Sequence, residues 1–242
     1  MNFNYPKLEP FNFLGLPNQN YKKSKVVIFP VPYNSTTYWK SGTKEGPQAI
    51  IEASRHLELY DIEGLVRAFS KEFKNFSLLQ LDAHLDSREE FEGTKYHHGC
   101  VIKRIRDLGI AVTQVGIRSL SEEEAQYIKK EKIKTIFYAP QLPINKIIAT
   151  LKENVYLTCD LDVFDSSLFP AVGTPEPGGL QWSELLNLIK QIAKKRKIVG
   201  ADVVELCPIP GIWASDFLAA KLVFKIISYS FLNKKKRKGK IL

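Results

Sequence analysis

Two short acidic clusters close apolar, strand-like runs, and together they limit what this chain can fold into. The first is Leu81-Asp82-Ala83-His84-Leu85-Asp86, at the end of Phe76-Ser77-Leu78-Leu79-Gln80. The second is Asp160-Leu161-Asp162, after Tyr156-Leu157-Thr158-Cys159. In extended chain, residues i, i+2 and i+4 share a face. That spacing predicts Asp82, His84 and Asp86 on one side of a strand end, and Asp160 beside Asp162 at another. Unpaired buried charge is costly, so convergent carboxylates and an imidazole call for a cation. A lone Asp-X-Asp is commonly a solvated strand end. Two of them, each closing an apolar run, point to one shared divalent-metal site.

The rest of the chain alternates strand-like with helix-like pattern. Strands are predicted at Lys25–Val31, at the run before Asp82, at Ala111–Ile117, near Thr135–Tyr138, before Asp160 and at Ile198–Glu205. A helix is predicted from Gly46-Pro47, with Ile50, Ile51, Ala53, Ser54 and Leu57 on its inner face. A short helical segment lies around Leu65–Phe69. Val101, Ile102, Ile105 and Leu108 have helical spacing stopped by Gly109. The capping box Ser121 to Glu124 opens another helix, and Ile144, Ile147, Ile148 and Leu151 mark the next. Ser183 reads as the cap of a helix burying Leu185, Leu186, Leu188, Ile189 and Ile192. A long helix runs from about Ala214. Strands apolar on both faces and separated by helices predict an α/β fold: a mostly parallel sheet covered on each side. In such folds the site lies beyond the carboxyl ends of the strands, where Asp82 to Asp86, Asp160, Asp162 and Glu205 all fall.

Composition excludes several alternatives. The 242 residues, 44% hydrophobic and 25% charged, suit one globular domain spanning 1–242. No run is apolar enough for a membrane span, and the start has no signal-peptide pattern. Three cysteines with no Cys-X-X-Cys pair fit a cytoplasmic protein. The net charge of +9 suggests nucleic acid, but six of the basic residues sit together at Lys234–Arg237, Lys238 and Lys240. The body lacks a basic stripe interleaved with aromatics. We therefore expect no nucleic-acid role, and read 233–242 as a frayed, solvated tail.

Four aspartates and one histidine suit hard-to-borderline ions such as Mn²⁺. Two such ions a few ångströms apart can activate a water near neutral pH and polarise an electrophile. The set Asp82-Ala83-His84-Leu85-Asp86, Asp160-Leu161-Asp162, Gly173-Thr174-Pro175-Glu176-Pro177-Gly178-Gly179-Leu180 and Asp202-Val203-Val204-Glu205 resembles the ureohydrolases, the arginase/agmatinase family. Tyr96-His97-His98-Gly99 and Val115-Gly116-Ile117-Arg118 also look like family segments, and the Pro-Glu-Pro is more like agmatinases than arginases.

The resemblance implies a three-layer αβα fold, short of some family strands, with a binuclear manganese centre. The implied reaction, part of polyamine biosynthesis, hydrolyses a guanidino group to urea plus an amine, agmatine to putrescine foremost. Asp82 and Asp160 would bridge the ions, His84 and Asp162 would complete one shell, and Asp86 would belong to the other. Asp86 would also pass a proton to the leaving amine, His98 would shuttle protons beside the substrate, and Glu205 would hold the cationic guanidino group. Homo-oligomers are common in the family. One element is missing. The family's remaining ligand histidine, in a Gly-Gly-Asp-His or Gly-Gly-Glu-His motif, has no counterpart, since the four histidines are His56, His84, His97 and His98. Asp61-Ile62-Glu63-Gly64 joins segments that relatives separate, as if a block were absent. One ion of the pair is expected to lose its nitrogen donor. The alternative is a shortened relative, weak or inactive, serving as a binding or scaffold subunit.

Overall fold

The computed structural model describes residues 11–13, 20, 22, 24, 26–32, 42–54, 76–95 and 97–232. Their order is α1 (Gly46–Ser54), β1 (Phe76–Leu81), α2 (Val101–Asp107), β2 (Ala111–Ile117), α3 (Glu122–Glu131), β3 (Ile136–Tyr138), α4 (Ile144–Thr150), β4 (Asn154–Asp160), α5 (Trp182–Lys195), β5 (Lys197–Val204) and α6 (Trp213–Ser230). Each strand is linked to the next by chain long enough for a helical crossover, and all five pair in parallel, as such connections require. The strand order is β3-β2-β1-β4-β5. From β1 the chain crosses outward to β2, and from β4 it crosses the other way to β5. The carboxyl ends of β1 and β4 therefore flank the switch point, where an open α/β sheet leaves its crevice. Asp82 directly follows β1, and Asp160 ends β4.

The two sheet faces are covered unequally. Leu79, Leu81, Val115, Val155, Leu157 and Cys159 are buried with Ile147 and Ile148 of α4, Leu185, Leu188, Ile189 and Ile192 of α5, and Leu222 and Ile226 of α6. The opposite face carries Leu78 and Val112, packed against Ile102 of α2 with Ile105 and Tyr156 alongside. Beyond these, over β4 and β5, that face opens into a cavity. The helices are the three-layer arrangement's outer layers, one thick and one thin.

Four expectations change. Residues 26–31 are not in the sheet: Val27, Phe29 and Val31 are exposed. A strand exists by its ladder, and among the described residues the sheet ends at β5 with no partner for that run. Gln181, not Ser183, caps α5; its side chain and that of Glu184 form the capping box, with Ser183 inside the first turn. Of the four apolar positions expected to share one helix face, Val101 and Leu108, the latter just past the end of α2, face solvent, and only Ile102 is fully buried. The sheet is also less apolar than predicted, because Ser77, Gln80, Thr113 and Gln114 are buried within it. Leu57, the segment around Leu65–Phe69 and the basic tail lie outside the described residues.

Candidate metal centre

Asp82 stands where β1 gives way to irregular chain, and a buried polar relay fixes its carboxylate. Arg106 Nη2 donates to Gln114 Oε1 at 3.1 Å, and Gln114 Nε2 donates to Gln80 Oε1 at 2.7 Å. Gln80 Nε2 in turn donates to Asp82 Oδ2 at 2.6 Å. Gln80 and Gln114 are direct partners in the β1–β2 register, so the sheet itself aligns them. The other oxygen, Asp82 Oδ1, accepts the His84 amide at 2.6 Å.

Asp160 and Asp162 meet through a tight turn rather than by strand alternation. The chain enters a 3₁₀ turn over Leu161–Val163, and Asp160 Oδ1 accepts the Asp162 amide at 2.9 Å. Asp162 then reaches across the crevice. Its Oδ1 accepts the Ala83 amide at 2.9 Å, and its Oδ2 lies 2.8 Å from His84 Nδ1. His84 Nδ1 is also 3.7 Å from Asp82 Oδ1, while Nε2 is 3.6 Å from Glu176 Oε1 on the Pro/Gly-rich loop. Asp82, His84 and Asp162 each offer one ligand atom, all within 4.8 Å of one another.

The other predicted site residues line the same cavity, of ≈ 790 Å³, without joining that group of three: Asp86, His98, Asp160 and Glu205. Asp86 and Glu205 share an unusual backbone, with φ of 53° and 68°. Left-handed φ costs a non-glycine residue energy and persists where surrounding structure enforces it, often at functional sites. It also breaks the simple alternation that predicted Asp86 on the face of Asp82. His98 lies on the short turn before α2 and is exposed, whereas His97 is buried and accepts the Gly99 amide at Nδ1.

The electrostatics are those of a site short of positive charge. Burial, then the charges of Asp162 and Asp86, push the Asp82 carboxyl well above its ordinary value. Burial and the charges of Asp162 and Asp82 do the same to Asp160. Asp86 is pushed up to about 7, by burial first, against the pull of His84. Burial opposes the His84 imidazolium, but the Asp162 hydrogen bond and the surrounding carboxylates outweigh it and hold the group at about 9. Asp162 is the exception, its carboxyl lowered despite burial because His84 pairs with it. Crowded buried carboxylates fit a divalent cation in donor type, charge and spacing.

Two residues to which the sequence reading gave no part in the site hold this geometry. Arg118 donates to five backbone carbonyls: Gly116, Asp162, Phe164, Glu176 and Pro177, at 2.6 to 3.1 Å. It thus ties the Asp162 turn to the Glu176 loop. Glu124, expected only as a capping residue, accepts the Ser121 amide at Oε2 and the Ser87 amide at Oε1, both at 2.8 Å. That second bond anchors the chain just after Asp86.

A parallel α/β sheet with acidic residues converging at its switch point defines a candidate metal-binding α/β protein, and comparison with known proteins narrows the class. The arginase family model matches residues 62–228. This chain belongs to the arginase family of ureohydrolases. It is 31% identical to the N(1)-aminopropylagmatine ureohydrolase of a Synechocystis strain, over 87% of this chain and 90% of that protein. It is 27% identical to the agmatinase of Pyrococcus horikoshii, over 90% of this chain and 96% of that protein. Among solved structures, the agmatine ureohydrolase of Thermoplasma volcanium superposes with a TM-score of 0.80 at 26% identity, covering 95% of this chain and 96% of that one. The Synechocystis alignment runs over 277 residues, more than the 242 of this chain. That relative therefore carries residues inside the match that have no counterpart here, in keeping with the absent block.

Proposed function

We propose that this chain hydrolyses a linear guanidino compound, agmatine foremost, to urea and an amine (putrescine). The observation that carries the reading is the convergence of Asp82, His84 and Asp162 at the switch point of an arginase-family fold. The relatives named for agmatine and aminopropylagmatine support the substrate class. Bound Mn²⁺ would supply Lewis-acid polarisation and an activated water. Asp82, His84 and Asp162 would hold one ion, with Asp160 and Asp86 as the carboxylates available to a second.

The chain's own groups do the rest. Glu205, projecting into the cavity, pairs with the guanidinium by charge-assisted hydrogen bonds and orients it. Asp86, lining the cavity beside the cluster, is the carboxylate that would pass a proton to the leaving amine. His98, at the exposed rim, exchanges protons with solvent.

A second reading rests on the missing upstream histidine and the gap against the relatives: a shortened protein with one incomplete ion site, acting as a binding subunit. Urea release from agmatine with Mn²⁺, measured for the wild type beside His84→Ala, separates the two. The enzyme reading requires release that the variant loses; equal rates would sink it.

A further inference from the structure

The hydrogen-bond relay that ends on Asp82 has a direction, and it begins on α2. Ile102 and Arg106 lie four residues apart and share a helix face. Ile102 is buried against Leu78 and Val112, so that face of α2 turns Arg106 toward the sheet. Gln80 and Gln114 follow Leu78 and Val112 by two residues, in register, and share their side of the sheet. Both glutamines are buried, at 2% and 0% exposure. Protein groups therefore decide which way each amide points.

A guanidinium can only donate, and an ionised carboxylate can only accept. Arg106 Nη2 therefore selects the oxygen of Gln114, which turns Gln114 Nε2 inward. That nitrogen has two hydrogens and gives both, one to Gln80 Oε1 at 2.7 Å and one to the Leu85 carbonyl at 2.7 Å. Gln80, its oxygen engaged, presents Nε2 to Asp82 Oδ2 at 2.6 Å. Flipping either amide would set donor against donor and acceptor against acceptor. The relay thus ends on both sides of His84, at the Asp82 carboxylate and at the backbone of Leu85. α2 holds the same segment at one further point, where the Ile102 amide donates to the Asp86 carbonyl at 2.9 Å.

We propose that Arg106 is a positioning residue for the metal centre: acting through Gln114 and Gln80, it holds the Asp82 carboxylate in the orientation that receives a divalent ion. This rests on the reading of Asp82, His84 and Asp162 as ion ligands and extends it to a residue three hydrogen bonds away. The guanidinium charge polarises the chain of amides, so each bond strengthens the next. Without it, Gln114 Oε1 loses its donor inside the protein, and the disturbance reaches Asp82 only by way of Gln80. Partners behind a metal ligand are worth about 10- to 100-fold in affinity.

A double-mutant cycle on Mn²⁺ affinity, read by chelator competition, tests this without requiring turnover. Arg106→Met keeps an apolar stem and removes the donor, while Gln80→Met removes the amide that meets Asp82. Arg106→Met is expected to weaken Mn²⁺ binding about tenfold on its own. In the Gln80→Met background, where the path is already cut, the same change is expected to cost less than about twofold. Arg106→Lys keeps a donor-only group and is expected to bind within about threefold of the wild type. The comparison of lysine with methionine stands by itself if Gln80→Met does not fold. Wild-type affinity in Arg106→Met, an equal loss in both backgrounds, or a lysine no better than methionine would overturn the positioning role alone. A wild type that binds no Mn²⁺ would overturn the metal-centre reading with it.

Discussion

His84 and Asp162, 78 positions apart in the chain, meet at 2.8 Å across the crevice between β1 and β4. Their contact joins the two acidic clusters, and it places the His84 imidazole against buried carboxylate oxygens. In the metal-free protein the imidazolium does part of what a divalent ion does, and this gives the apoprotein a definite response to pH.

His84 is held at about 9 against an ordinary 6.5, so its contribution to stability is complete below about pH 6.5 and is lost as pH rises through about 9. Asp86 is held at about 7 against 3.8, so the folded chain resists its ionisation, and that penalty grows between those values. Both slopes have the same sign. Thermal melts of chelator-treated protein should show Tm falling from pH 5 to pH 9, with the slope reduced in His84→Ala. Saturating Mn²⁺ should raise Tm most at the alkaline end, because ligands bind metal deprotonated. A metal-free Tm that climbs with pH over this range would contradict the site electrostatics.

Arg118→Ala removes five donated hydrogen bonds and leaves the carbonyls of Asp162 and Phe164 short of a partner. The expected loss is on the order of 3 kcal/mol in a denaturant titration, together with weaker metal retention. Arg118→Lys should not restore either property, since an ammonium on a flexible stem cannot span the same fork of acceptors. Full rescue by lysine would mean that the charge, not the clamp, matters.

Glu176 approaches His84 Nε2 at 3.6 Å, on the side away from Asp162. A carboxylate behind a ligand imidazole fixes the ring and raises its basicity, and such outer partners are worth about 10- to 100-fold in metal affinity. Glu176→Gln should therefore weaken Mn²⁺ binding about tenfold in a chelator competition, with Tm of the metal-free protein almost unchanged. Unaltered affinity would show that the loop, not the carboxylate, positions the ring.

Gly116 sits in β2 with φ of 96°, and a Cβ there would lie 2.8 Å from Val163 Cγ2 and 2.9 Å from the Asp82 carbonyl oxygen. Gly116→Ala adds backbone strain and pushes directly on the residue that carries a ligand. We expect destabilisation of about 2 kcal/mol and weaker metal binding in the same variant. If stability falls and Mn²⁺ affinity does not, Asp82 is less rigidly placed than its hydrogen bonds imply.

The sheet was legible in the sequence wherever local pattern and tertiary pairing agree. β2 falls on the predicted Ala111–Ile117, and the Ser121–Glu124 capping box opens α3 as expected. Residues 26–31 show the limit: their pattern is strand-like, but pairing decides, and the described residues offer no neighbour. The acidic residues at the ends of β1 and β4 were legible for a related reason, since chemistry at a strand's carboxyl end survives as spacing. What holds them was not. Arg118 acts through backbone carbonyls on three separate segments, and the Arg106–Gln114–Gln80 relay exists only once β1 and β2 are in register. The left-handed backbone at Glu205 leaves no mark in residue type, and at Asp86 the mark is slight: aspartate tolerates that conformation but seldom signals it. Gln80 and Gln114 read as polar interruptions of apolar runs, where a buried pairing between them was the signal to follow.

The central claim is that Asp82, His84 and Asp162 hold a divalent ion despite the missing upstream histidine. The most direct measurement is manganese per chain by elemental analysis, after loading with Mn²⁺ and desalting, for the wild type and His84→Ala side by side. The account predicts at least one tightly held ion in the wild type and its loss in the variant. A wild type that retains none, or a variant that retains as much, would contradict it.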